Sequence, residues 1–235
     1  MATDLSSACC TPAPAATAEQ IGKEETIAGV PVYITGPRSA SAAVILISDV
    51  FGYQTPLLLK LADKVAAAGY LTLVPDLFHG DPFAGNRAGL VEWKAKHPPT
   101  GEPVTVTKNL VEVVKKTKGI DSVGLAGFCW GAKVAVCVGK ERAHVKAVVQ
   151  LHPSMVEASD YEQVAVPIAV LAAPTDGVEP HEALLASRVE VASFVKVFPG
   201  VSHGWAVRYQ ETDESAVKKA SEAHVLMLDW FAKYL

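Results

Sequence analysis

A cysteine stands between two glycines, each two residues away, in Gly127-Phe128-Cys129-Trp130-Gly131-Ala132. The apolar run Ser122-Val123-Gly124-Leu125-Ala126 leads into this stretch, and the helix-compatible run Lys133-Val134-Ala135-Val136-Cys137-Val138 leads out of it. Strand, Gly-x-nucleophile-x-Gly turn and helix together make a nucleophile elbow, with cysteine where serine is usual. Such a turn strains the backbone at its central residue, so the residues two before and two after must be nearly without side chains. The helix that opens behind Cys129 offers unpaired N–H groups and a positive dipole end, which favour a thiolate and a developing oxyanion. The bland alternative is a buried cysteine between packing glycines.

A nucleophilic cysteine needs a base, and the base needs a group to orient it. Behind an elbow the chain order is nucleophile, acid, histidine. His203 fits the last place, in Pro199-Gly200-Val201-Ser202-His203-Gly204-Trp205, just past the β-rich run Ser193–Phe198. Asp176 fits the second, in Ala173-Pro174-Thr175-Asp176-Gly177, past the run Pro167–Ala172. Glu179 is a rival acid in the same loop, with Asp176 nearer the strand end. Cys137, on the helix after the elbow, reads as a small packed thiol. No HExxH or histidine-rich spacing suggests a metal, no glycine-rich segment matches a phosphate loop, and no cofactor is expected.

The elements that must position these residues alternate along the chain. Thr26-Ile27 and Val32-Tyr33-Ile34 form a hairpin around Gly29, and Ala43–Ile47 is an unbroken apolar strand of the kind covered on both faces. Leu57 to Ala66 repeats at helical spacing and stops at Gly69, and Tyr70–Pro75 is the next strand. A helix from about Val104 to Lys116 precedes the elbow strand. Strands Lys146–Leu151, Pro167–Ala172 and Ser193–Phe198 follow, with a short helix near Pro180–Ala186 and a last amphipathic helix from Glu214 to Lys233. This alternation predicts an α/β fold: a mostly parallel sheet, helices on both faces, and active loops at the carboxyl ends of the strands. Residues 76–103 are rich in Gly, Pro and His, with one helical candidate at Leu90–Lys96, and read as a lid or pocket wall.

With 235 residues, half of them hydrophobic, and a formal charge of -4, the composition is that of a soluble globular protein with room for one sizeable core. Residues 19–235 are expected to form a single domain, and the Ser/Thr/Ala/Pro-rich residues 1–18, with Cys9 and Cys10, a mobile tail. No basic stripe suggests nucleic acid, no run is long enough to span a membrane, and the N-terminus lacks a secretory pattern. The expectation is a cytoplasmic monomer or weak homodimer whose partner is a small-molecule substrate.

The elbow, the Asp176 loop and the His203-Gly204 turn resemble the dienelactone hydrolase family of cysteine α/β-hydrolases. The resemblance runs from Glu24 to Leu235 and takes in Ser48-Asp49-Val50-Phe51-Gly52 and Pro75-Asp76-Leu77-Phe78-His79-Gly80-Asp81-Pro82. It implies an α/β-hydrolase fold and a Cys-His-Asp triad that opens an enol-lactone or related ester through an acyl-enzyme. Cys129 would be the nucleophile, His203 the base and then acid, Asp176 the orienter, and the backbone N–H groups of Val50 and Trp130 the oxyanion hole. Bacterial members carry a glutamate where this chain has Asp49, and that glutamate is implicated in holding the resting thiol. Asp49 is thus a thiol-gating candidate one methylene shorter, with a turn residue as its bland alternative. Arg87 and Arg208 are candidates to bind a substrate carboxylate, although Arg208 stands five residues past His203 rather than four. Phe51, Tyr53, Phe78, Trp205, His79 and His152 are candidates for the pocket wall, as is Trp130. Two other functions compete: a β-glucanase-like glycoside hydrolase, which some plant relatives suggest, and a non-catalytic ligand-binding or redox-sensing protein.

Overall fold

Register decides which loops meet in this protein. The computed structural model describes residues 20–85 and 87–235, apart from the side chains of Arg87 and Lys118; the tail expected over residues 1–18, with Cys9 and Cys10, lies outside the described residues. Chain order gives β1 (Lys23–Ile27), β2 (Val30–Thr35), β3 (Ala42–Ile47), α1 (Pro56–Ala67), β4 (Leu71–Pro75), α2 (Leu90–Lys96), α3 (Glu102–Lys118) and β5 (Ser122–Phe128). It continues with α4 (Trp130–Val138), β6 (Ala147–Leu151), α5 (Ala158–Gln163), β7 (Ile168–Ala172), α6 (Glu179–Ser187), β8 (Ser193–Val197) and α7 (Glu214–Tyr234).

The strands join one sheet in the order β1-β2-β4-β3-β5-β6-β7-β8. The β1–β2 hairpin is antiparallel and β2 pairs antiparallel with β4; every other pairing is parallel. Parallel strands covered on both faces need apolar residues at odd and even positions alike, which is why β3 reads Ala-Ala-Val-Ile-Leu-Ile. Its Ala43, Ile45 and Ile47 face a core shared with α3 and α4, while Val44 and Leu46 face a second core with α1 and α7. Short α5 begins at a capping box between Glu157 and Asp160, an element absent from the expected pattern.

The parallel register sets the strand tops side by side. Ile47 pairs with Gly127, Phe128 with Leu151, Leu151 with Leu171, and Ala172 with Val197. The residues that follow these positions are therefore neighbours: Ser48 to Val50, Cys129, His152, the Asp176 turn and the His203 loop.

Candidate active site

Cys129 caps the N-terminus of α4 with φ 53° and ψ -110°, a left-sided conformation that costs a residue with a Cβ about 1–3 kcal/mol. The surrounding backbone enforces it. A Cβ on Gly127 would lie 2.3 Å from the carbonyl oxygen of Gly131, and one on Gly131 would lie 2.3 Å from that of Ile47. Only hydrogen fits at either place, so α4 can pass directly over the end of β3. The first turn of α4 is held from below: Gln150 Nε2 donates to the Ala132 carbonyl at 2.8 Å, and the Tyr161 hydroxyl donates to Gln150 Oε1 at 2.8 Å. Lys133, also buried, meets Asp160 Oδ2 at 2.6 Å, which ties α4 to α5. Burial works against the Asp160 charge, but hydrogen bonds from Lys133, the Glu157 amide and Lys140 carry its pKa below the ordinary carboxylate value.

Asp176 ends a 3-10 turn, Pro174–Asp176, just past β7. Its Oδ2 accepts the Ala173 amide at 2.7 Å, and its Oδ1 lies 2.7 Å from His203 Nδ1. The Asp176 side chain is buried, whereas the rival Glu179 is exposed at the start of α6. With Nδ1 engaged, Nε2 is the ring atom of His203 left to exchange protons; it is buried and has no partner among the described residues. The loop that carries His203 is tied to α7, where buried His224 donates from Nε2 to the Ala206 carbonyl at 2.9 Å.

The amides of Val50 and Trp130 donate to no backbone carbonyl among the described residues. Both residues are anchored to the segment between β4 and α3. The Val50 carbonyl accepts the Phe83 amide at 2.8 Å, and the Trp130 indole donates to the His97 carbonyl at 2.8 Å. Phe78 packs on Trp130 and on Trp93, with ring centroids 4.6 and 4.9 Å apart, and Trp93 stacks on His97 at 4.4 Å. Buried Asp76 starts the segment by accepting the Phe78 and Gly80 amides. Under this cover Cys129 is 1% exposed.

Asp49 and Arg208 are buried together, with Arg208 Nε 3.1 Å from Asp49 Oδ2. The N–H is not aimed along that line, so the pair is an ionic contact rather than a hydrogen bond. Asp49 Oδ1 accepts the Phe51 amide at 3.0 Å, the turn contact expected of an aspartate there. Burial pushes the Asp49 pKa above the ordinary carboxylate value, against the pull of Arg208, the Phe51 amide and His203. Arg208 lies over the Phe51 ring at 5.1 Å and against Gly204, where a Cβ would stand 2.0 Å from the guanidinium.

The remaining candidates scatter. His152 is wholly buried at the end of β6, its ring edge-on to that of His203. Tyr53 packs in the core on the α1 side, and its hydroxyl donates to Glu24. Trp205 packs on Phe198 at 4.4 Å and borders a cavity of about 340 Å³ between the His203 loop and α7. His79 is exposed and pairs with Glu102 at 3.0 Å. The Arg87 side chain lies outside the described residues. A second cleft, of about 310 Å³, is bordered by Phe51, Tyr53, Asp76 and Pro82, on the Val50 side of the site. Among the described residues no His, Cys, Asp and Glu side chains group as a metal site, and no helix is long and apolar enough to cross a membrane.

A model of the dienelactone hydrolase family matches residues 30–235. A carboxymethylenebutenolidase homolog of Xenopus tropicalis is 32% identical over 228 residues, which cover 91% of each chain. A Zea mays protein named endo-1,3;1,4-beta-D-glucanase is 42% identical over 169 residues, 72% of this chain and 52% of that one, so the match spans about half of that relative. The crystal structure of a dienelactone hydrolase from Anabaena variabilis has a TM-score of 0.69 at 18% identity, covering 92% of this chain and 100% of that one, a likeness of fold.

Proposed function

Because the chain belongs to the dienelactone hydrolase family, we propose that it is a cysteine-dependent hydrolase opening a small enol-lactone, ester or thioester through an acyl-enzyme. Cys129 Sγ attacks the carbonyl carbon while its proton passes to His203 Nε2. The oxyanion accepts from the amides of Val50 and Trp130, and the leaving oxygen takes the proton back from His203. Water then cleaves the Cys129 thioester by the same route in reverse. The observation that carries this reading is the 2.7 Å contact of His203 Nδ1 with Asp176 Oδ1, beside an elbow cysteine held at φ 53°. That contact fixes the tautomer whose Nε2 can act as base.

Asp49 is the carboxylate proposed to meet the resting thiol. Burial raises its pKa, and it is proposed to hold the thiol by a hydrogen bond until the proton passes to His203. Arg208, which faces Asp49, would reach a substrate carboxylate only by leaving that pair; Arg87 is the alternative. Phe51 and Phe78 are the proposed apolar wall, since both border the covered side of the site.

A second reading, hydrolysis of β-glucan, draws on the maize relative's name. It requires two carboxylates across an open sugar cleft. Asp176 is buried against His203 and Asp49 against Arg208, which favours the cysteine route. Incubation with activated esters and enol-lactones, followed by mass spectrometry of the Cys129 peptide, tests the proposal directly. An acyl adduct there, and loss of turnover in Cys129→Ala, are expected. Full ester activity in Cys129→Ala would overturn it, and equal reducing-sugar release from β-glucan by wild type and Cys129→Ala would support the second reading.

A further inference from the structure

His152 occupies the strand top between those of the nucleophile and the acid. The register that pairs Phe128 with Leu151 makes Cys129 and His152 lateral neighbours, and the Cys129 amide donates to the Leu151 carbonyl at 3.1 Å. Its backbone is strained, with φ 39°, in the left-handed region that a residue with a Cβ enters at a cost. The strain sends a polar ring into a wholly buried position, 5.1 Å between centroids and 74° from the ring of His203.

Neither nitrogen of His152 meets a hydrogen-bond partner on another described residue, its own backbone being the one polar group drawn to the ring, and His203 Nε2 has no partner among the described residues. Buried polar atoms are normally satisfied, and each one left unmet costs about 1–3 kcal/mol. Such nitrogens on two touching rings mark a spot built for a small polar guest. Burial, then the nearby His203 and Arg208, hold the His152 pKa well below the ordinary imidazole value. The ring is therefore neutral and keeps one nitrogen with a lone pair.

Resting on the acyl-enzyme reading above, we propose that His152 contacts the water that hydrolyses the Cys129 thioester, accepting one of its hydrogens while His203 Nε2 accepts the other. With both hydrogens so engaged, the lone pairs of the water oxygen point toward the acyl carbon. The oxygen bonds to that carbon as the proton moves to His203 Nε2. The carbon–sulfur bond then breaks, the thiolate regains the proton from His203, and the carboxylic acid leaves. His152 exchanges no proton; it positions the nucleophile of the second half-reaction only.

Stopped-flow hydrolysis of p-nitrophenyl acetate by the full-length protein separates the two halves. The burst of nitrophenolate reports acylation, and the steady rate reports deacylation. His152→Phe keeps the ring and removes the acceptor; it should leave the burst rate within about threefold and slow deacylation about 100-fold. Acetyl-Cys129 should then accumulate in its mass spectrum. His152→Gln, whose amide oxygen restores an acceptor, should recover deacylation to within about tenfold of wild type. Folding is checked by circular dichroism, and His152→Leu takes the place of the Phe variant if that chain does not fold. Equal slowing of both phases, or a raised KM with unchanged deacylation, would overturn the proposal. Wild type that never forms acetyl-Cys129 would sink the acyl-enzyme reading instead, whereas an adduct that clears normally in His152→Phe sinks only the role of His152.

Discussion

Acid should loosen this protein through a histidine outside the proposed catalytic triad. His224, on α7, is buried and donates from Nε2 to the Ala206 carbonyl in the loop that carries His203. Burial brings its pKa down from 6.5 to about 4, with the Ala206 bond opposing and Lys64 adding to the effect. In the fold His224 stays neutral at pH values where the unfolded chain has already taken a proton. Unfolding therefore binds a proton, and stability falls as the pH drops from 6.5 toward 4, levelling off below. The gap corresponds to ~3 kcal/mol when the loss is complete. Glutamine at this position keeps an N–H for Ala206 and cannot titrate. Urea unfolding of wild type and His224→Gln, from about pH 7 to about pH 4, isolates the contribution, because the carboxylates and His152 titrate alike in both chains. Wild type should lose ~3 kcal/mol more than the variant across that window. Parallel pH curves agreeing within about 0.5 kcal/mol would refute the reasoning, since distant sites add to that tolerance.

Other substitutions test the site and its supports. Asp176→Asn should lower kcat about 10⁴-fold in ester hydrolysis while leaving thermal unfolding nearly unchanged, because it removes the contact that fixes the His203 tautomer. Gly131→Ala would drive a Cβ into the Ile47 carbonyl, an atom unable to yield, and should cost about 3 kcal/mol in denaturant unfolding along with activity. Asp160→Ala would leave Lys133 buried without its principal counter-ion; a loss of about 3–5 kcal/mol is expected by the same assay.

Much of this arrangement was legible along the chain. The strands β2 to β8 and the short helix Leu90–Lys96 announce themselves by apolar runs and by glycine and proline at their ends, whereas only Thr26-Ile27 of the charged strand β1 was readable. The elbow is readable because its glycines answer to a steric demand that no other residue meets, and the Asp176 and His203 loops because they follow strands in the right order. Helix α5 was not legible: six residues with little apolar content leave only the spacing of Glu157 and Asp160 as a signal. The burial of Arg208 against Asp49 was hidden for another reason. An arginine carries the same sequence signature in water as in a buried pair, and only the fold brings these two together. His152 was recognisable as a strand-end residue, but its depth and its left-handed backbone depend on what packs around it. Local pattern specified the elements; the pairing of charged groups across the sheet came from tertiary contact.

Trp130 belongs at once to the elbow and to the covering segment, through its indole bond to the His97 carbonyl and its packing on Phe78. Cys129 is 1% exposed, so a substrate can reach its sulfur only when some of that cover shifts. Such a shift moves a fully buried indole toward water and strips its hydrogen bond, changes to which tryptophan emission responds in wavelength and intensity. With Trp93, Trp205 and Trp230 replaced by Phe, the residue beside the proposed nucleophile would in this way serve as a built-in optical gauge of access to it, readable on the millisecond scale with neither label nor added chromophore.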